Sequence, residues 1–360
     1  PLPVLPYRIA GWQSFVYRAP YAGFAAPSEA PRVGLETVWL TITLIDPTDS
    51  IVLEVGTPVG VGITDKDADN DGTDDMSDDP GLTNERTATA AKNDNFRGVA
   101  VSASSKDDVE SMSFSLAIGG TFGVGVAAAV NVVDVDTTAT IGQGAQINQN
   151  VTDTANGAQS VLIAAASDFN HVGIGIGAAG GGTAGVAPGV DVSVVALTTE
   201  EQLGANTTVD ARDDVAVIAT AKEKFLIIGA GVAAGGTFAL GGGVSVVTVN
   251  DTTLASIGDS ADVEAGGDVA VLASDDSSLT IVAGGVGIGI GGAGIGASVG
   301  IGLFDKTTDA LIGASASIDA KGTGTGYGDI LTGVVNGDGG FARGTAHGVI
   351  VQADSTESFT

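Results

Sequence analysis

A dense run of carboxylates, DKDADNDGTDDMSDDP at residues 65–80, is the clearest candidate for chemistry in this sequence. With Gly72 as the turn residue at position 6 of a D-x-D-x-D-G calcium loop, carboxylates occupy positions 1, 3, 5, 9 and 12, and Thr73 offers its backbone carbonyl at position 7. Ca²⁺ takes about six to eight hard oxygen ligands, which dense carboxylates supply. The spacing therefore predicts Ca²⁺ as the cofactor, with these ligands: Asp67, Asp69, Asp71, Thr73, Asp75 and Asp78.

This loop resembles the thrombospondin type 3 calcium repeats of secreted proteins, and it departs from the helix–loop–helix form in two respects. Asp78 is shorter than the usual Glu at the last ligand position, and no helix is predicted on either side. The alternative interpretation is an acidic linker. Without a cation, its carboxylates would repel each other and keep the segment unfolded.

Composition excludes several classes of function. The chain has 360 residues and no Cys, so disulfides, thiolate metal sites and a Cys nucleophile are excluded. A formal net charge of −29 argues against nucleic acid and anionic lipid as partners. Lys and Arg total 14 and His totals 2, which argues against the clustered catalytic groups of the β-helical polysaccharide lyases and hydrolases. We interpret His171 as a packing residue and His347 as a loop residue.

Four landmarks recur in the same order and define a repeat. Each repeat starts with an apolar strand, such as VAVIATA at Val215 and VAVLAS at Val269, 54 residues later. A Gly pair, a Thr pair and an IG or LG dipeptide follow at near-constant spacing. Insertions fall only between that dipeptide and the next start, the largest of them at 321–347. Insertions confined to one place in a repeat are typical of a stacked array.

The apolar stretch GVGIGIGGAGIGASVGIG at 285–302 is long enough to cross a bilayer as a helix. However, Gly alternates there with Val or Ile at a period of two, which is the strand period. The pattern predicts two strands with a turn at Gly291-Gly292-Ala293. The Gly-lined face is either an outer surface on which another sheet packs or a tight inner wall.

Together these features predict an all-β fold, a parallel β-helix (β-solenoid) of about four Gly-rich modules with a small N-terminal β region. Each module is predicted to contain four to six short strands, with a polar corner after the first. Ordinary coils of roughly 20–27 residues would divide a module into two or three coils.

At this point the chain resembles a known group of proteins. The segments AGGDVAVLASDDSSL, GGVGIGIGGAGIGASVGIG and TTDALIG are similar to the repeats of bacterial secreted filamentous adhesins, the filamentous-haemagglutinin and leukotoxin type of exoprotein. The resemblance covers roughly residues 98–360. It implies a right-handed β-helical stalk, secreted and displayed at the bacterial cell surface.

The same patterns divide the chain. The predicted domains are an extended arm rich in Pro and aromatic residues (1–32), a small β-domain or solenoid cap (33–64), the acidic calcium loop and linker (65–97), and the solenoid repeats (98–360, divided into 98–160, 161–214, 215–268, 269–348 and the start of a further repeat at 349–360). Because residue 1 is Pro, we expect the chain to be processed or part of a longer polypeptide.

The function expected from the sequence is structural. We expect an extracellular, calcium-binding segment of a bacterial surface filament or adhesin, capable of self-assembly through the arm and the open solenoid ends, with a cell-surface or glycan ligand as a further partner. Nucleic acid and membrane are not expected partners. Two alternatives remain: a membrane-inserting, toxin-like exoprotein that uses the Gly-rich apolar hairpins, and a β-helical enzyme acting on polysaccharide.

Overall fold

The computed structural model describes residues 97–149, 155–337 and 341–360, together with the backbone of three short strands at 41–42, 60–64 and 87–91. The predicted arm at 1–32 and the acidic segment at 65–80 lie outside the described residues. Within the described part, every regular element is a strand. The described part also contains no helix of the length and apolarity that crossing a membrane requires.

The strands differ widely in length, from two residues to twenty-three. They are β1 (Thr41–Ile42), β2 (Gly60–Thr64), β3 (Thr87–Ala91), β4 (Arg97–Gly119), β5 (Phe122–Val124), β6 (Ala127–Ile141), β7 (Gln146–Ile147), β8 (Gln159–Gly181), β9 (Ala184–Leu203), β10 (Thr208–Ala211), β11 (Val215–Gly235), β12 (Phe238–Ile257), β13 (Asp262–Ala265), β14 (Val269–Gly289), β15 (Ala293–Ile312), β16 (Ser317–Ala320), β17 (Tyr327–Val335), β18 (Phe341–Ala346) and β19 (Val349–Phe359).

Most of these strands belong to three parallel sheets. The front sheet has the order β19-β14-β11-β8-β4, the back sheet β1-β6-β9-β12-β15 with β5 beside β9, and the short corner sheet β16-β13-β10-β7. Each complete repeat gives one strand to each sheet. The predicted all-β fold with parallel sheets of repeated strands is therefore confirmed, and it is compatible with a β-helix.

The register corrects the predicted number of coils. Val215 pairs with Val269 on one side and with Val161 on the other, so neighbouring strands are 54 residues apart. A repeat is thus one pass through the three sheets, and the expectation of two or three coils is wrong. The predicted polar corner is also wrong, because β14 continues without a break from Val269 to Gly289 through its Asp and Ser residues.

Other sequence landmarks fall where they were predicted. β14 ends at Gly289 and β15 begins at Ala293, so the stretch 285–302 forms two strands joined at the Gly pair. His171 pairs with Phe225 in register, as its interpretation as a packing variant requires, and Phe225 pairs with Leu279. The next residue in that column is Phe359.

The front and back sheets pack face to face, and their inward side chains form layers along the strands. An apolar cluster that includes Val217, Ile257 and Val263 lies nearest the corner sheet. A second cluster contains Phe169, Phe225 and other side chains further along the strands. Between the two clusters lies a buried polar layer, which comprises Thr137, Ser167, Thr199, Glu201, Glu223, Asp251, Thr253, Asp275 and Ser277.

Beyond the second cluster, the Gly residues face inward, which settles the two alternatives left open by the sequence. A Cβ placed on Gly243 would lie 2.0 Å from the Gly229 carbonyl oxygen in the facing sheet. A Cβ on Gly175 would meet the Val190 carbonyl oxygen at the same distance, 2.0 Å. At these positions the two backbones approach too closely for a Cβ. Gly forms a tight inner wall together with four buried alanines, Ala179, Ala187, Ala233 and Ala239.

Two antiparallel pairs of strands form small sheets of their own and belong to none of the three parallel sheets. β17 and β18 pair within the predicted insertion at 321–347, and Leu331 N donates to Gln352 Oε1 at 2.7 Å, which holds this pair against β19. β2 and β3 pair with Thr64 opposite Thr87. β1 pairs with the end of β6, where Ile42 lies beside Ile141.

Candidate cation site

Three buried carboxylates meet in the polar layer. They are Glu223 on β11, Asp251 on β12 and Asp275 on β14, and one ligand oxygen of each lies within 4.8 Å of the other two. Each of the three residues has only 1 % of its surface exposed. We call these three residues the acidic triad.

Strand register places the acidic triad together. Asp275 and Glu223 each lie an even number of residues after Val269 and Val215, the first residues of their strands, so all four point to the same face. β11 and β14 are hydrogen-bonded neighbours, with Glu223 beside Ser277. Asp251 reaches the same layer from the back sheet, where it lies two residues before the inward-facing Thr253.

Neighbouring hydroxyl groups hold two of the carboxylates. Thr253 Oγ1 donates to Asp275 Oδ2 at 2.9 Å. Ser277 Oγ lies 2.8 Å from Glu223 Oε2 and 3.1 Å from Asp275 Oδ1. A hydroxyl group has one proton to donate, so Ser277 can satisfy only one of these two oxygens at a time.

A lysine supplies positive charge on one side of the acidic triad. Lys306 Nζ, on β15, lies 2.6 Å from Asp275 Oδ1 and donates to Ser277 Oγ at 2.8 Å. Lys306 is in register with Asp251 on the neighbouring strand. Lys306 Nζ also lies 3.5 Å from Glu357 Oε1 on β19, at the edge of the cluster. One ammonium group therefore neutralises only part of the carboxylate charge, and the net charge of the cluster remains negative.

On the other side of the acidic triad, well-formed hydrogen bonds are missing among the described residues. Glu223 Oε1 and both carboxyl oxygens of Asp251 are buried there without a partner of good geometry. Burial, followed by repulsion from Asp251 and Asp275, raises the pKa of Glu223 well above its ordinary value. Burial and the Asp275 charge raise the pKa of Asp251 to about 8. The cluster thus needs either bound protons or a further cation to be stable at neutral pH.

A hard divalent cation fits the free side of the acidic triad. The available donors are carboxylate oxygens of three residues and the hydroxyl groups of Thr253 and Ser277, all of which are oxygen ligands of the kind that Ca²⁺ prefers. Lys306 would keep its contact with Asp275 Oδ1. The unpartnered oxygens of Glu223 and Asp251 would then bind the cation directly.

The acidic triad differs from the site predicted by the sequence. The predicted ligands lie outside the described residues, and they are Asp67, Asp69, Asp71, Thr73, Asp75 and Asp78. What the structure describes is the pair of strands on either side, β2 and β3, which place the backbone of Thr64 opposite that of Thr87. Thr64 and Thr87 are therefore close to each other.

The sequence analysis did not predict the acidic triad, although a signal for it exists. Its members come from different strands, so no local spacing motif connects them. The signal is the alternation of faces along a strand. Glu223 in KEK (222–224) and Asp275 in DD (275–276) each lie an even number of residues after the Val that begins their strand, so they fall on the same face as that Val. Treating these residues as a polar corner removed that information.

A second buried polar cluster contains His, Ser and Asp. His171 Nε2 lies 2.8 Å from Ser193 Oγ, which donates to Asp191 Oδ1 at 2.9 Å, and His171 Nδ1 lies 3.0 Å from the Val109 carbonyl oxygen. Here Ser lies between His and Asp, whereas in a catalytic triad His lies between Ser and Asp. All three residues have 0 % of their surface exposed, so a substrate could not reach them.

Comparison with known proteins adds no relative. No protein-family model matches this chain, and neither a curated protein nor a solved structure matches it.

Proposed function

We propose that this chain is a structural segment of a secreted bacterial surface filament or adhesin stalk, built as a calcium-stabilised β-solenoid that can extend end to end. The observation that carries the proposal is the uninterrupted parallel register of successive repeats. β11 pairs with β14 from Val215↔Val269 to Gly235↔Gly289, and β12 pairs with β15 from Phe238↔Ala293 to Ile257↔Ile312. Strands of this length, stacked in one constant register, suit an extended rod-like segment.

The last strand of the back sheet supports the proposal of end-to-end extension. Among the described residues, β15 has a strand neighbour on one side only. Its odd-numbered amides bond to β12, as in Ala293 N to Thr237 O at 2.9 Å and Gly313 N to Ile257 O at 2.7 Å. In a parallel ladder, the even-numbered amides therefore face the open edge and can pair with a further strand. Either more of the same polypeptide or another copy can supply that strand.

A proline at the open edge tests extension by another copy. Ser298→Pro removes one edge-facing N–H while it leaves the bonds to β12 in place, and Ser298→Ala is the matched control. We expect wild type and Ser298→Ala to form particles that lengthen with concentration in sedimentation velocity, and Ser298→Pro to remain short. Deletion of residues 1–32 should have the same effect as Ser298→Pro if the arm covers the open end of the next copy. Particles that lengthen equally in all four proteins would exclude the β15 edge and the arm as the connectors, and a wild-type protein that does not lengthen would contradict extension by another copy.

The acidic triad supports the proposal of calcium stabilisation. Asp251→Asn removes a buried carboxylate that is repelled by the Asp275 carboxylate, so the variant should be more stable than wild type in EDTA. It should also lose the part of the Ca²⁺-dependent stabilisation that this cluster supplies, which for wild type reaches about 2.7 kcal/mol at a hundredfold excess over Kd. The control is Asp276→Asn, since Asp276 is the outward-facing neighbour of Asp275. An identical Ca²⁺ increment in both variants would exclude the acidic triad as the site.

The membrane-inserting alternative has one observation in its favour, the exposed apolar side chains near the Gly turns. Phe114 is 65 % exposed and Ile118 is 83 % exposed. Calcein release from neutral liposomes separates the two proposals. A structural segment should leave the liposomes intact, whereas an inserting protein should empty them.

A further inference from the structure

We propose that a second copy of this chain packs against the outer face of the back sheet, through the half of that face that carries no charge. This contact is lateral and involves a different surface from the strand edge of β15. The proposal rests on the distribution of charge, the size of the face and the nature of its edges.

Charge is absent from one half of every repeat. No Asp, Glu, Lys or Arg occurs in the segments 111–133, 172–190, 225–250 and 277–304. Each segment contains the Gly turn and the parts of the front and back strands that lead into and out of it. Because the repeats are in register, the uncharged parts coincide and form one uncharged half of the stack.

On the outer face of the back sheet, this uncharged half is a continuous apolar surface. Parallel pairing places outward residues of successive repeats in columns. The columns include Val130, Val192, Val246, Ile301; Val132, Val194, Thr248, Leu303; and Ala128, Val190, Val244, Val299. These side chains reach the surface: Val130 is 70 % exposed and Leu303 is 58 % exposed. We call this surface the valine face.

The valine face is large enough for a stable contact between two proteins. From residue 184 to residue 194 it measures about 36 Å along the strands and about 19 Å across four strands, so each copy offers about 700 Å². A standard protein interface buries about 800 Å² per partner. The largest apolar patch on an ordinary monomer is about 300–600 Å².

A bilayer is a poor occupant of this face. At least one edge of the back sheet, that of β15, exposes backbone amides and carbonyls among the described residues. Such an edge would leave its polar groups without hydrogen bonds in hydrocarbon. A protein surface covers a flat sheet face while the edges stay in water, and two such faces pack well because their β-branched side chains interdigitate.

Charge also fixes the arrangement of the two copies. The remainder of the same outer face is acidic, with outward carboxylates at Asp134, Asp136, Glu200, Asp305 and Asp309. With a net charge of −29 on each copy, two copies repel each other, and the repulsion is weakest when their acidic halves are far apart. An antiparallel, two-fold contact places one valine face on the other and directs the acidic halves to opposite ends. The contact is therefore isologous and closes at two copies.

Sedimentation equilibrium of the full chain tests the proposal, carried out in the Ser298→Pro background so that strand-edge extension is blocked. We expect a monomer–dimer equilibrium. Val246→Lys, within the valine face, should weaken dimerisation at least tenfold because it places a charge in an apolar interface. Thr252→Lys lies on the same strand and the same face but in its acidic half, and it should leave the dimer intact. Val130→Lys is a second variant at a well-exposed position, so it tests the contact without affecting the core.

Three results would overturn the proposal. One is that the Ser298→Pro protein, with an unaltered valine face, stays monomeric up to about 100 μM. Another is an equal effect of Val246→Lys and Thr252→Lys, with unchanged circular dichroism. The third is flotation with neutral phosphatidylcholine vesicles that Val246→Lys abolishes, because this would identify lipid as the occupant.

Discussion

The inward Gly wall predicts a large effect for one glycine and none for its neighbour. Gly242 and Gly243 are adjacent on β12, and a Cβ on Gly243 would lie 2.0 Å from the Gly229 carbonyl oxygen and 2.4 Å from that of Gly284. A Cβ on Gly242 faces outward and would meet only the Ala297 carbonyl oxygen, at 3.4 Å. The pair thus separates the steric requirement for Gly from the general cost of Gly in a strand.

The magnitude follows from the distances. To bring 2.0 Å to an ordinary contact of about 3.4 Å, the two sheets must separate locally by about 1.4 Å. Overpacking a core costs about 1–3 kcal/mol when side chains can move aside. Here the obstacle is backbone that belongs to the facing strand, so we expect Gly243→Ala to cost about 3 kcal/mol or more. Gly242→Ala should be neutral or stabilise by about 0.4–1 kcal/mol, because Ala restricts the unfolded chain.

Guanidinium titration followed by far-ultraviolet circular dichroism measures both variants. The expected result is a clearly lower midpoint for Gly243→Ala and an unchanged or higher midpoint for Gly242→Ala. Equal midpoints would refute the close approach of the two sheets. A lower midpoint for Gly242→Ala alone would mean that the faces of β12 have been assigned the wrong way round.

Three further predictions concern pH, calcium and the insertion. Burial raises the pKa of Asp191 from 3.8 to about 6, so the folded protein binds this proton more tightly and loses stability as pH rises from about 4 to about 6, by at most about 3 kcal/mol. Asp191→Asn should therefore gain stability relative to wild type as pH rises over that interval. Burial lowers the pKa of His171, and this makes stability rise with pH, but His171 is present in both proteins. A stability difference between the two proteins that stays constant with pH would contradict the prediction. The calcium loop should lose high-affinity binding in calorimetry when three of its ligands are changed together to Asn (Asp67, Asp69, Asp71), and unchanged binding would exclude that loop. Deletion of 322–345 should leave β-sheet content and melting nearly unchanged, since β17 and β18 belong to none of the parallel sheets; global unfolding would show that the repeat boundary is misplaced.

Period-two alternation and recurring landmarks were sufficient to predict the two strands of 285–302, the turn before Ala293 and the column of Phe225 and Leu279. The predicted four to six short strands per module are wrong, because a complete repeat has three strands, two of them about twenty residues long. They could not predict the length of a pass. Asp275 and Glu223 resemble corner residues in the sequence because isolated buried carboxylates are unfavourable in a strand. Lys306, which contacts Asp275, comes from the strand that follows, and Asp251 comes from the opposite sheet. These contacts depend on three-dimensional register, which no local pattern contains. The inward direction of Gly243 is likewise decided by the facing strand.

The central claim is that each 54-residue repeat is a single pass, so that residues 54 positions apart are direct neighbours. The chain has no Cys, which makes engineered disulfides simple to interpret. Val232 and Val286 are in-register partners and are 47 % and 49 % exposed. Their Cα atoms should be about 4.8 Å apart, within the range that a disulfide bridges. The double variant Val232→Cys/Val286→Cys should therefore form an intramolecular disulfide under mild oxidation, detected by peptide mass spectrometry. If that pair stays reduced while Val232→Cys/Asp259→Cys, 27 residues apart, forms the disulfide, the repeat makes two coils and the account is contradicted.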